Sequence, residues 1–284
     1  MEPFLRDVRT ARFWKILGTQ AFALFGLLAA VGGGIALFIP DFFTSRPWMG
    51  LVGIIAALVY GAARAWPRPI ATRYQSPSTK ISLVRGDLFD QHEAHLVIGA
   101  SDTFDTAPPH IDPRSVQGQF LNRIYDGDLP KLDSDIAVEL TSIDPVETVA
   151  GKHGKTERYR LGTTVTLRQN ARRFFLVAYT RMDNKSSASS TTDGVWNSLS
   201  ELWKVVRAES NGRPVCMPMI GGGQSKLSSV LPLADSVRFI ALSFMLASRT
   251  RKICDELVIV APRNEYDSLD HLEIQAFLNS LRPS

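Results

Sequence analysis

A two-helix transmembrane hairpin followed by an α/β domain on a mostly parallel sheet, with helices on both faces, is the architecture this 284-residue sequence predicts. Three observations carry it. Two long apolar runs lie close together near the amino terminus, and basic residues crowd around them. Downstream, short apolar strand-like runs alternate with amphipathic stretches.

From Trp14 to Ile39 the only charge is Lys15, and from Trp48 to Ala63 there is none. As helices, each is expected to cross a hydrocarbon core, which takes about 20 residues. The first run is too long for a signal peptide, lacks a small-x-small cleavage site, and is followed directly by the second. The loop "DFFTSRP" between them is short enough to make the helices antiparallel. Arg6, Arg9, Arg12 and Lys15 precede the first span, Arg64, Arg68, Arg73 and Lys80 follow the second, and the loop holds only Arg46. Basic flanks resist translocation, so both termini are expected in the cytoplasm. Small residues recur four apart in both runs, at Gly26, Ala30 and Gly34 and at Gly53, Ala57 and Gly61, a spacing that lets helix backbones approach within one hairpin or between hairpins. Two helices enclose no water-filled pore, so any permeation needs several chains.

The expected division is a hairpin over residues 1–66, with spans at about 14–39 and 48–66, a juxtamembrane linker over 67–80, and a ligand-sensing domain over 81–284. The linker reading rests on the Pro, Ser and basic residues of "RAWPRPIATRYQSPSTK", residues 64–80. Residues 1–80 carry nine Lys/Arg and three Asp/Glu, whereas 81–284 carry 23 and 25. The basic balance of the whole chain is therefore a membrane-flank effect, and no basic patch with interleaved aromatics points to nucleic acid. Cys216 and Cys254 sit in or beside apolar segments and read as reduced core residues.

"ISLV" (81–84) and "HLVIGAS" (95–101) read as strands, the second continuous enough to be covered on both faces. A Pro-bearing loop leads to the helix "RSVQGQFLNRIY", capped by Ser115 or Asp112, then to a helix around "LPKLDSDIAVEL" and a hairpin in "ERYRLGTTVTL". "RFFLVAYT" (173–180), "RPVCMPMI" (213–220) and "ELVIVAP" (256–262) are further strands, separated by the helices "VWNSLSELWKVVRAE" and "LPLADSVRFIALSFMLAS". "YDSLDHLEIQAFLNSL" closes the chain as a helix. Ligands in such sheets bind beyond the carboxyl ends of the strands, which singles out the loops after "VIGAS", "VAYT" and "PMI".

The third of these loops is "GGGQSKL", Gly221 to Leu227. It is no nucleotide P-loop, because Lys226 stands three residues after Gly223 and Ser225 precedes it; G-x-G-x-x-G also fails. What remains is a glycine cradle whose amides face an anion, or a flexible turn. In the first loop Asp102 and Asp105 either accept from ligand hydroxyl or amino groups or cap a turn. Phe104 either stacks on a ligand ring or anchors the loop in the core, and Gln119 either reaches the ligand or is solvated. His92, His95, His110, His153 and His271 show no metal-ligand spacing, so no metal and no cofactor are expected.

An apolar strand, then Gly86, Asp87 and Leu88, then a strand ending in "GASDTFDT", resembles the opening of the macro domain, an α/β module that binds ADP-ribose. With the hairpin, "SVQGQF" and the glycine triplet in this order, essentially the whole chain is similar to the transmembrane macro-domain effectors of type II Thoeris anti-phage defence. The resemblance implies that Asp87 receives the adenine amino group, with Leu88 beside it, and that Gly221, Gly222 and Gly223 cradle the pyrophosphate. Ser101, Asp102, Phe104, Asp105, Thr106 and Gln119 join the site, as do Gln224, Ser225, Lys226 and Leu227. It further implies a signal, histidine-ADP-ribose, made by a partner TIR-domain enzyme, with ligand-driven self-association that damages the bacterial inner membrane. The acidic first loop would suit an adduct with an amino group. Macro-domain hydrolases carry an Asn-rich first loop that this chain lacks, so a reader is expected rather than an enzyme. The alternative is a membrane-tethered ADP-ribose hydrolase or nucleotide-cleaving enzyme using Asp87, Asp102 or Asp105 as base.

Overall fold

The structure, a computed structural model, describes residues 11–38, 48–65, 70–221 and 231–282. It divides into two units, Met1–Arg68 and Pro69–Ser284.

The first unit holds helices α1 (Ala11–Phe38) and α2 (Trp48–Ala65). Small residues set how they meet. A Cβ added at Gly61 would lie 2.8 Å from the Leu17 carbonyl oxygen and 3.0 Å from the Ala21 Cβ. Gly61, Ala57 and Ala21 therefore form the buried seam, and the end of α2 lies beside the beginning of α1, an antiparallel pair. Gly26, Gly34 and Gly53 face open space, so the stripe on α1 does not serve this contact. Phe22, Leu27, Val31, Leu51 and Val59 are exposed. Among the described residues one helix is long and apolar enough to cross a membrane, over Leu17–Ile35, whereas Trp48–Ala63 is a shorter apolar helix.

In the second unit the strands are β1 (Ile70–Tyr74), β2 (Thr79–Arg85), β3 (His95–Ser101), β4 (Glu147–Thr148), β5 (Glu157–Arg158), β6 (Thr164–Gln169), β7 (Arg172–Met182), β8 (Ala188–Ser189), β9 (Val215–Pro218) and β10 (Glu256–Ala261). The main sheet runs β1-β2-β10-β9-β3-β7-β6, with β8 on β7. β2, β10, β9, β3 and β7 are mutually parallel, and β1 and β6 close the edges antiparallel. The expected mostly parallel α/β sheet is therefore present. Helices α3 (Val116–Ile124) and α4 (Leu129–Leu140) cover one face, and α5 (Thr192–Glu209), α6 (Leu233–Thr250) and α8 (His271–Ser280) cover the other. A short α7 (Arg263–Ser268) follows β10.

Caps explain the helix starts. Ser115 Oγ accepts the Gly118 N–H, Asp128 the Lys131 N–H, and Thr191 the Gly194 N–H, each meeting a donor the first turn leaves open. Trp203 anchors the α5–α6 layer: it is fully buried, donates to Ser243 Oγ at 3.0 Å and meets the Phe244 ring edge-on.

Two expectations are corrected. The segment 67–80 is not all linker, because "IATRY" is the edge strand β1. Its Ile70, Thr72 and Tyr74 are buried, the Tyr74 hydroxyl donates to the Leu278 carbonyl, and the Gln275 amide bonds the Ala71 backbone. "ERYRLGTTVTL" is not a hairpin either: β5 pairs with β4, and β6 turns into β7 through Asn170 at φ 53°. β1 begins opposite Leu83, which in turn lies opposite Ile259. The chain thus enters this unit near the carboxyl ends of the parallel strands.

Cys216 and Cys254 are free and fully buried. Burial pushes both thiols up to about 12. Neither is expected to react with a thiol reagent at pH 8 in the folded protein, while both react in denaturant; rapid native labelling would contradict their placement.

Candidate functional site

The carboxyl end of the sheet gathers five connections: Gly86 and Asp87 after β2, residues 102–110 after β3, 183–190 after β7, the glycine loop after β9, and Pro262 after β10. Parallel register puts them along one edge. Of the glycine loop, Gly221 is described; it is buried at φ +98°, a backbone conformation that favours glycine. Gly222, Gly223, Gln224, Ser225, Lys226 and Leu227 lie outside the described residues. Before the loop, Ile220 N–H donates to Ser236 Oγ at 2.8 Å, tying it to the first turn of α6.

The first loop departs from its expected use. Asp102 is fully buried: one oxygen accepts the Met182 N–H at 3.0 Å, and the other lies 2.8 Å from Arg158 Nε. Burial pushes its carboxyl above the ordinary value, against the Met182 N–H and the Arg158 charge. A raised carboxyl often marks a general base. Here it is sealed beneath β7 and joins the ends of β3 and β7, since its own N–H donates to the Thr180 carbonyl and its carbonyl accepts from Tyr159.

Asp105 is 2 % exposed and pairs with Lys152 Nζ at 2.7 Å, itself buried. The same carboxylate accepts the Thr103 hydroxyl at 2.6 Å and the Lys155 N–H at 2.8 Å. Phe104 is fully buried at φ 50° and meets the Tyr159 ring edge-on at 5.8 Å, so it anchors the loop rather than stacking on a ligand. Thr106 donates to Asp133 at 2.6 Å, Ser101 lies 3.4 Å from the Thr103 hydroxyl, and Gln119 donates to the Arg114 carbonyl at 3.0 Å. Ser101, Asp102, Phe104, Asp105 and Thr106, expected to face a ligand, thus have their side chains buried in an internal framework.

What the framework leaves over is backbone. The N–H groups of Thr103, Asp105 and Thr106 make no hydrogen bond to any described residue, although these residues are at most 3 % exposed. Buried amides in folded proteins are almost always paired, with protein, water or ligand. Burial and strain therefore select a loop whose outstanding polar groups are amide donors, suited to phosphate or hydroxyl oxygens.

Asp87 stands at the other end. Its carboxylate caps the short 3-10 helix Leu88–Asp90 by accepting the Phe89 N–H at 2.8 Å, and takes Arg123 Nη1 at 2.5 Å. Arg123 also reaches Asp90 and lies 5.0 Å from the Phe89 ring centre. Asp87 is 40 % exposed and open to a ligand, whereas Leu88 is buried in the core of the α3–α4 face. Arg123 on α3 is a site neighbour that sequence spacing did not single out.

Between the two ends, Tyr179 covers Gly99, where a Cβ would lie 2.0 Å from the tyrosine ring. Beside it is a crevice of about 20 Å³, lined by Val97, Ser198, Met217 and Ile220 among others. His95 sits at the opposite end of the sheet: its Nδ1 accepts from Arg173 N–H, so Nε2 donates to the Ser210 carbonyl, and burial lowers its pKa. It is a structural histidine. Among the described residues no group of three His, Cys, Asp or Glu could hold a metal ion.

Residues 81–262 match the family described as Thoeris protein ThsA, macro domain. Among solved structures, a mutant of the Oceanobacillus iheyensis macrodomain has a TM-score of 0.50 at 11 % identity, covering 74 % of this chain and 98 % of its own; this likeness shows the macro fold. Thermosipho africanus DarTG in complex with ADP-ribose has a TM-score of 0.46 at 14 % identity, covering 70 % of this chain and 46 % of its own. None of the curated proteins matches the chain.

Proposed function

Because the chain belongs to the Thoeris ThsA macro-domain family, we propose that its second unit binds an ADP-ribose-derived signal across the carboxyl end of the sheet and does not hydrolyse it. One observation carries the reading. The loop after β3 has both its carboxylates taken, Asp102 by Arg158 and the Met182 amide and Asp105 by Lys152, while three of its buried amides meet no acceptor among the described residues. Hydrolysis needs a base within reach of the attacking water; this loop instead offers donors for phosphate and ribose oxygens.

Adenine is placed at Asp87, with Arg123 shifting from the carboxylate onto the base, and the pyrophosphate at the glycine loop. The signal is taken as histidine-ADP-ribose from a TIR-domain enzyme, and the protein as a bacterial inner-membrane effector with both termini cytoplasmic. The helix pair is its anchor. α2's apolar run, Trp48–Ala63, is about 24 Å long at 1.5 Å per residue, short of a hydrocarbon core of about 30 Å. Local bilayer thinning with Trp48 at the interface accommodates that mismatch. Ligand binding favours a state in which several hairpins associate, and it shifts that equilibrium only by its differential affinity for the two states.

Long incubation of the protein with histidine-ADP-ribose, followed by mass spectrometry, tests the reading. The ligand is expected back intact, with a thermal stabilisation that grows to about 2.7 kcal/mol at a hundredfold excess over Kd. Stoichiometric loss of ligand mass would establish the hydrolase instead.

A further inference from the structure

We infer that His110 reads an anionic group, a carboxylate, carried on the terminal ribose of the ligand, with Ser186 orienting its ring. The inference rests on the ADP-ribose reading above and deepens it. Asp87 follows β2 and Gly221 follows β9, with β10 between them, so a ligand joining the two crosses two strand spacings, about 10 Å. Two further spacings in the same direction pass β3 and reach β7, where the loops 102–110 and 183–190 stand. The terminal ribose and whatever it carries fall there.

At that corner His110 Nδ1 lies 2.6 Å from Ser186 Oγ and bridges the two loops. Ser186 is held at φ 59°, so its hydroxyl is placed by a constrained turn in which Asp183 accepts the Lys185 and Ser187 N–H groups. His110 is half-buried, follows Pro108 and Pro109 in a turn closed by its own N–H on the Ala107 carbonyl, and its Nε2 has no hydrogen-bond partner among the described residues. A third loop closes the corner. Gly154, at φ +84°, approaches so closely that a Cβ would lie 2.4 Å from Asp105 Oδ1 and 2.8 Å from the His110 ring. No side chain fits between the imidazole and this framework.

Charge decides what the imidazole meets. The acidic first loop does not ask for an amino group, because each carboxylate is already answered: Asp105 by Lys152 at 2.7 Å, Asp102 by Arg158 at 2.8 Å, and Asp133 by Lys155 at 2.6 Å. Lys185 and His153 are exposed in the two loops that flank His110, and the carboxylate of Asp183 is engaged by the Lys185 and Ser187 N–H groups. With the Ser186 hydroxyl donating to Nδ1, the proton sits on Nε2, which then presents a donor to an acceptor on the ligand; a carboxylate there makes the stronger, charge-assisted bond.

Calorimetric titration of the full detergent-solubilised chain with ADP-ribose, histidine-ADP-ribose and histamine-ADP-ribose tests this, since the last two differ in the carboxylate alone. The wild type is expected to bind the histidine adduct at least about tenfold more tightly than the histamine adduct. His110→Ala is expected to close that gap to within about twofold, with ADP-ribose affinity and thermal midpoint unchanged, and Ser186→Ala to narrow it. An His110→Ala protein that keeps the wild-type gap, or weakens all three ligands alike, overturns the inference, as does a wild type that binds ADP-ribose without separating the adducts. A wild type that binds none of the three overturns the ligand reading itself.

Discussion

Lys152→Met is expected to destabilise the second unit by about 3–5 kcal/mol, the cost of leaving one member of a buried ion pair without its partner. Lys152 Nζ pairs with Asp105 and also donates to the His153 carbonyl at 3.0 Å and the Lys155 carbonyl at 2.8 Å. The substitution therefore strands a carboxylate and two carbonyls in a site where the Lys152 side chain is 1 % exposed. The Thr103 hydroxyl and Lys155 N–H still reach Asp105, but neither carries charge. For a unit of this size the thermal midpoint should fall by roughly 6–20 °C, read from the fluorescence of buried Trp203. Replacing both members, Asp105→Leu with Lys152→Met, should cost less than Lys152→Met alone, because no uncompensated charge remains. A single variant within about 1 kcal/mol of wild type would remove the pair from the framework and return Asp105 to the ligand.

That pair also shows where the sequence stops being informative. The parallel strands were legible because "HLVIGAS", "RFFLVAYT" and "ELVIVA" are continuous apolar runs, which two covered faces require. The start of α3 was legible because Ser115, one of the two caps its sequence offers, holds the first turn from a fixed spacing. β1 was not, since five residues that include an exposed Arg73, hemmed by prolines, carry too few apolar positions to stand out from a linker. The first-loop aspartates misled for a different reason. Their partners arrive from far along the chain, Lys152 from 47 residues downstream, and nothing local to "ASDTFDT" announces that its charges are already met. Order of motifs located the site edge, whereas which groups remain available there depended on tertiary pairing.

Gly221→Val is expected to abolish ligand-triggered leakage from dye-loaded liposomes while leaving the protein inserted. At φ +98° a β-branched residue is strained whatever space surrounds it, at a cost of about 1–3 kcal/mol. On the reading proposed above, relieving that strain rotates the peptide planes on either side of Gly221 and turns their amides away from the pyrophosphate. Each charge-assisted contact so lost is worth about 1.5–3 kcal/mol, so strain and one lost contact together weaken binding by about a hundredfold or more. The α1–α2 seam at Gly61, Ala57 and Ala21 is remote in sequence and belongs to the other unit, so insertion should be untouched. Gly61→Leu supplies the reciprocal case: its side chain meets the Leu17 carbonyl and Ala21, so the helix pair is pried apart while ligand affinity stays at the wild-type value. Loss of leakage in both variants, with loss of binding in Gly221→Val alone, would separate sensing from membrane action. Leakage that persists in Gly221→Val at ligand concentrations it no longer binds would show that the membrane unit acts without the sensor, and the coupling proposed between them would fall.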